Sequence, residues 1–151
     1  MRVTTRTRYA IRALYDIAFH GRGQAAQAKE IAERQTIPLR FLEQILQDLR
    51  RGGLIEARRG PRGGYALARP AGEISLADVL RAVRGPLEAL LGVEGEGAEE
   101  QGADDVPALV WSEVGGRLID VLEQSTLADF VARAEAIGLR RATVPPTMYF
   151  I

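Results

Sequence analysis

Residues 38–67 read PLRFLEQILQDLRRGGLIEARRGPRGGYAL. In the first part Leu39, Leu42, Ile45, Leu46 and Leu49 recur every three or four positions, which is the apolar stripe of a helix. Pro38 suits the start of that helix, where a missing N–H removes no hydrogen bond. Gly52-Gly53 interrupt the pattern. A run from Leu54 to Arg58 follows, then the tip Arg59-Gly60-Pro61-Arg62-Gly63-Gly64, then Tyr65-Ala66-Leu67. Two short strands around a Gly-rich, arginine-bearing tip predict a β-hairpin. A helix running straight into a basic hairpin predicts a winged helix-turn-helix.

The residues before this stretch supply the missing helices. Thr4 and Thr5 can cap a helix beginning near Arg6. Tyr9, Ala10, Ala13, Leu14, Ile17 and Ala18 keep helical spacing, and Gly21-Arg22-Gly23 should end the helix. His20 reads as a surface residue interacting with the helix dipole. Gln27 to Arg34 predicts a short second helix with Ala28, Ile31 and Ala32 inward, and Gln35-Thr36-Ile37 forms the turn before Pro38. Two helices joined by so short a turn are a helix-turn-helix, whose second helix directs its first turns at base edges. Arg40 then suits guanine, Gln44 adenine and Glu43 a cytosine amino group. Taken alone, these residues also fit a solvated surface helix.

The hairpin tips that balance. Its glycines let backbone approach a partner closely, and an arginine can enter a narrow minor groove. Arg58, Arg59 and Arg62 are the arginines that surround these glycines. Arg6, Arg8, Arg50 and Arg62 are expected to neutralise phosphates.

Charge agrees with this division. Residues 1–84 carry 16 Lys+Arg against 8 Asp+Glu, and residues 85–151 carry 4 against 12, although the whole chain of 151 residues is neutral. A basic half beside an acidic half suggests nucleic acid for the first half. The sequence has no cysteine and one histidine, which excludes disulfides and thiolate metal sites and leaves no ordinary zinc set. No cofactor or metal is expected. Without an apolar run of membrane-spanning length or a signal-peptide opening, a cytoplasmic protein is expected. No nucleophile–base pair or phosphate loop is visible, so an enzyme is not expected.

Leu42-Glu43-Gln44, Leu49-Arg50-Arg51-Gly52-Gly53-Leu54-Ile55 and Arg59-Gly60-Pro61-Arg62-Gly63-Gly64-Tyr65 together resemble the Rrf-two family of bacterial winged-helix transcription regulators. Met1-Arg2-Val3-Thr4 with Arg8-Tyr9-Ala10 is similar to the family's opening. The resemblance is dense over residues 1–70 and looser to about 130. It implies a homodimer on a two-fold symmetric, palindromic operator, with Glu43 reading a base and Pro38, Arg40 and Gln44 at neighbouring contacts. It also implies Arg59-Gly60 in the minor groove. Pro38, Leu39 and Phe41 stand where the family often has serine or tyrosine, which bears on the operator sequence. Cluster-binding members carry cysteines near residues 92–105, with a histidine before the tryptophan; here there are none, and Ala108 precedes Trp111.

Beyond the wing, Ser75-Leu76-Ala77-Asp78 is a capping pattern for a helix to about Arg84. Leu87 to Leu91 reads as a short strand or turn. Residues 92–105 are acidic and Gly-rich, predicting an exposed loop; their carboxylates lack the spacing of a calcium loop. A long helix should run from Val106 to about Glu123. Val110, Trp111, Val114, Leu118 and Leu122 are its candidate dimer contacts, and Gly115 or Gly116 a point of close helix crossing. Ser125-Thr126 caps a last helix to about Ala136. The tail ending in Met148-Tyr149-Phe150-Ile151 should dock rather than remain exposed.

The fold class expected is therefore mainly α, a winged helix-turn-helix with a small β-hairpin wing plus a long dimerisation helix. Its parts are a DNA-binding domain (1–84), an acidic loop (85–105), the dimerisation and last helices (106–138) and a tail (139–151). The expected function is a sequence-specific regulator, a repressor, acting as a homodimer on double-stranded DNA without an iron–sulfur cluster. Its signal would be a small-molecule effector or a partner protein. The alternative is a winged helix used for protein interaction and regulated by a partner.

Overall fold

Thr4 begins the first helix as an N-cap, its hydroxyl accepting the Thr7 N–H, and the computed structural model describes residues 3–93 and 105–143. This helix, α1 (Thr5–Gly21), ends at Arg22, which takes up a left-handed conformation (φ 48°). Its buried stripe of Ala10, Ala13, Leu14 and Ile17 is the spine of the main core. α2 (Ala28–Gln35) opens with a capping box between Gln27 and Glu30, which satisfies orphan amides at both ends of the first turn. Thr36, at φ 54°, turns the chain sharply, and Ile37 plugs the core beneath. α3 (Leu39–Arg51) follows with Pro38 as its N-cap. Leu42, Ile45, Leu46 and Leu49 are buried, as their spacing requires.

One ionic group lies inside this framework. Asp16 is fully buried and receives both Nε and Nη2 of Arg34 (3.0 and 2.7 Å) and the Gln35 amide (2.9 Å). A buried carboxylate is tolerated only with such partners. The contact joins α1 to the last turn of α2, just before the turn that aims α3.

The wing is an antiparallel pair, β1 (Ile55–Arg58) and β2 (Gly64–Leu67), with Ile55 opposite Leu67 and Arg58 opposite Gly64. Its second strand is stitched to the segment before α2 by reciprocal Ala26–Tyr65 backbone bonds of 2.8 Å. A Cβ on Gly64 would overlap the Ala26 carbonyl, so this position requires glycine.

After a 3₁₀ turn (Ala71–Glu73), α4 (Leu76–Arg84) starts at the expected Ser75–Asp78 capping box. Residues 87–90 form a one-turn helix, α5 (Leu87–Leu90), not the expected strand or turn: Pro86 is its N-cap, and Leu87 is buried beside Ala77 and Ile119. α6 (Val106–Gln124) and α7 (Leu127–Ala136) complete the fold. Asp105 N-caps α6 by accepting the Ala108 N–H (3.1 Å). Arg81 of α4 donates to Glu88 of α5 and Glu123 of α6 (both 2.9 Å), tying three helices together. α7 returns to α1, with Leu127 in the main core. Backbone bonds Leu76–Ser125 and Leu127–Ile74 hold the starts of α4 and α7 side by side. Most of the acidic loop (94–104) and the apolar tail (144–151) lie outside the described residues.

Gly115 makes its close approach within its own chain. A Cβ there would overlap Val93, in the segment after α5, whereas a Cβ on Gly116 would meet nothing within 4 Å. Past α7 the chain crosses back over the end of α1. The Ala142 N–H donates to His20 Nδ1 (2.7 Å), and the Arg141 guanidinium lies over the Phe19 ring, 5.2 Å from its centroid. Burial pushes the His20 imidazole below its ordinary value; Arg34 and Arg141 act the same way, and Asp16 opposes them.

This packing separates the two adjacent glycines of α6. Gly116→Ala should raise stability by about 0.5–1 kcal/mol through helix propensity. Gly115→Ala should lower stability because Val93 must move. Denaturant titration checks both, and equal shifts would contradict the packing described. For His20, a lowered folded pKa means the unfolded chain holds more protons near the ordinary value of about 6.5. The histidine's contribution is therefore complete above that value and lost as pH falls from it through the lower folded value. Hydrogen exchange at the Ala142 amide should lose protection on acidification beyond the intrinsic pH effect, and His20→Phe should abolish that excess.

Candidate nucleic-acid interface

The first turns of α3 carry the expected base-reading set. With the stripe from Leu42 to Leu49 turned inward, Arg40, Glu43, Gln44 and Gln47 project from the exposed side. Arg40, Glu43 and Gln44 form no ion pair or side-chain hydrogen bond among the described residues. Pro38 is exposed at the N-cap, and the first amides of α3 lack intrahelical partners, as at any helix start. This turn can donate, accept and fork at a surface without giving up internal contacts.

The wing tip is shaped by a four-residue turn. The Gly63 N–H donates to the Gly60 carbonyl (2.8 Å), with Pro61 in the second position, which its fixed φ favours. Gly60 has φ 108°, a region that disfavours other residues. Arg59 precedes this turn, Arg62 is its third residue, and both are exposed. Arg58 is turned the other way. It donates to the Gly23 carbonyl (2.9 Å) and to Glu56 (3.1 Å), bracing the wing against the α1–α2 loop.

The candidate phosphate contacts are less uniform. Arg8 and Arg50 are exposed, Arg8 donating to Thr5 Oγ1 at 3.4 Å. Arg6, expected to face phosphates, is instead ion-paired with Asp48 of α3. Arg51 meets the same carboxylate at 3.4 Å while its side chain stays 76 % exposed. Arg51 was not among the expected contacts, although the Arg50-Arg51 doublet at the end of α3 is its sequence signal.

On α6 the expected interface residues divide. Val110, Trp111, Val114 and Leu118 are exposed, and Val106, Leu109 and Val121 join them. Leu122 does not: it packs against the cluster of Ala77, Leu87 and Ile119 within its own chain. The Trp111 ring is 60 % exposed, yet its indole N–H donates to the Leu91 carbonyl (2.9 Å), which fixes its orientation.

A cavity of about 520 Å³ opens between the end of α1, the start of α2 and the wing, lined by His20, Gln27, Glu30, Arg34, Arg58 and Arg62. No cysteine exists to hold an iron–sulfur cluster, and the one histidine already accepts a backbone N–H. Among the described residues no group of three His, Asp or Glu is placed to hold a metal ion. The donor set does not fit a cluster. Nor is any described helix long and apolar enough to cross a membrane.

Comparison with known proteins converges on one family. Residues 3–133 match the model of the Rrf2 (Rrf-two) family, described as iron-dependent transcriptional regulators. The chain is 37% identical over 134 residues to a Mycobacterium tuberculosis protein provisionally named an HTH-type transcriptional regulator, covering 89% of this chain and 83% of that one. It is 34% identical to the transcriptional regulator IscR of Cronobacter sakazakii, covering 92% and 85%. Among solved structures, IscR of T. potens superposes with TM-score 0.75 at 31% identity, covering 94% of each chain. CymR, the global cysteine regulator of B. subtilis, gives 0.71 at 29%, covering 88% and 98%. The relatives that match over most of the chain are transcriptional regulators, and the chain belongs to the Rrf2 family of winged-helix transcriptional regulators.

Proposed function

We propose that this DNA-binding regulator acts as a homodimer that occupies a palindromic operator and represses by excluding the transcription machinery. The observation that carries the reading is the first turn of α3, whose Arg40, Glu43 and Gln44 are exposed and internally unpartnered among the described residues. Arg40 suits the O6 and N7 of guanine, Gln44 the N6 and N7 of adenine, and Glu43 the N4 of cytosine. Pro38 lies at the groove floor's edge, Arg59 with Gly60 enters the minor groove, and Arg8, Arg50, Arg51 and Arg62 meet phosphates. Arg6 joins them only by exchanging its Asp48 partner. Residues 1–84 carry this reading function, and the helix opening the 106–138 region pairs the subunits.

Support for pairing comes from α6. Seven exposed large apolar residues on one helix form a patch that single scattered side chains would not. An α6-to-α6 contact through Val110, Trp111, Val114 and Leu118 would cover it. The signal reaches the protein through a small molecule or a partner protein, since the chain supplies no cysteine for a cluster.

The test of DNA binding is a gel shift with the full chain and DNA upstream of its own gene. A discrete, competitor-resistant complex is expected. Absence of any DNA complex would favour the protein-interaction role instead. Arg59→Ala should weaken operator binding by about 1–3 kcal/mol at fixed salt; unchanged affinity would remove the wing from the interface. Val114→Asp places a charge in the proposed subunit contact, so sedimentation should show a shift from dimer to monomer at equal protein concentration. A persistent dimer would move the contact elsewhere.

A further inference from the structure

Among the described residues from 4 to 89, Leu39 and Phe41 are the only large apolar side chains left exposed, at 40 % and 57 %. Single exposed apolar residues are ordinary on a protein surface. These two are not scattered: they frame Arg40 in the first turn of α3. Successive helical residues are separated by about 100°, so Leu39 and Phe41 stand to either side of Arg40. Residues three or four apart are neighbours on a helix, which places Phe41 beside Gln44 and Leu39 beside Glu43. Each apolar group therefore borders a hydrogen-bonding side chain of the reading turn.

The major-groove edge of an A·T pair combines an adenine donor and acceptor with the C5-methyl of thymine, the one apolar group a base pair presents there. Gln44 answers the adenine edge but is indifferent to the methyl. We propose that Phe41 and Leu39 are specificity-determining residues that read thymine C5-methyl groups, Phe41 at a base step next to the adenine held by Gln44. The inference rests on the reading of α3 as the recognition helix and adds to it a ligand chemistry: each half-site contains thymine whose methyl is covered on binding. Phe41 has no internal role that competes with this one, since it belongs to neither buried cluster.

The test begins with in vitro selection of duplexes by the full-length protein, followed by replacement of each selected thymine with uracil. That change keeps every hydrogen-bonding group and the base pair and deletes only the methyl. At one thymine per half-site, uracil should lower affinity about four-fold, the effect of one methyl-sized group leaving water, and about fifteen-fold when both half-sites are changed. Phe41→Ala should weaken binding to the thymine site and lose most of its sensitivity to uracil. The exposed position predicts an unchanged melting temperature for this variant, and the wild-type comparison of thymine with uracil does not depend on it. If no uracil replacement matters, or if Phe41→Ala loses equally on both DNAs, methyl reading is overturned while DNA recognition by α3 stands. If no sequence is selected at all, the recognition-helix reading itself fails.

Discussion

The buried Asp16 carboxylate is the constraint on which the reading head depends. Arg34 and Gln35 sit in the last turn of α2, and the chain then reverses through Thr36 and plugs Ile37 into the core before α3 begins. The angle at which α3 leaves the body is set in those few residues. Apolar packing alone would resist separation of α1 from α2 but would tolerate rotation, because the hydrophobic effect has no direction. A forked guanidinium–carboxylate contact is directional. Removing one partner of such a pair leaves an uncompensated buried charge, on the order of 3–5 kcal/mol, a large part of a typical domain's stability. The helix-turn-helix is therefore pinned by geometry as well as by burial.

The wing is held differently. Its strands are too short to stand alone, and its stability is borrowed from three attachments: the Ala26–Tyr65 backbone stitch, the Arg58 bond to the Gly23 carbonyl, and the core contacts of Ile55 and Ala66. They are spread along the ladder, from Ile55 at its base to Arg58 beside the tip. The Gly60–Gly63 turn beyond them has its shape fixed by local backbone preference. α3 and the wing are thus parts of one body, linked through the start of α2.

Much of this was legible in residue order. Capping signals at Thr4, Ser75 and Thr126 mark real helix starts, and the three- and four-residue spacing from Leu42 to Leu49 separates the buried from the exposed side of α3, whereas Leu39, on the same spacing, lies exposed in the first turn. The hairpin follows from its glycines. Local signals failed where distant residues decide the outcome. The helix at Leu87–Leu90 is too short to show a period, and it exists because Leu87 fills a pocket made by α4 and α6. Leu122 shares the spacing of Leu118 but lies nearer the inward side, a distinction that needs the position of α4. Asp16 gives no hint in its surroundings that a partner 18 residues away will bury it. His20 likewise meets Ala142 from 122 positions further on. Gly115-Gly116 read as one helix crossing, yet only Gly115 is crowded, and by Val93 of the same chain.

The open first turn of α3 also has an evolutionary consequence. Leu39, Arg40, Phe41, Glu43 and Gln44 project from the helix while the neighbouring Leu42 and Ile45 hold it in place. Replacing exposed residues away from caps and cores usually changes stability by no more than about 0.5 kcal/mol. The positions proposed to choose a binding site are thus nearly uncoupled from those that maintain the fold. A lineage could retarget this protein to a new set of genes by a few substitutions, each passing through a folded intermediate, while Asp16, Arg34 and Gly64 remained fixed throughout.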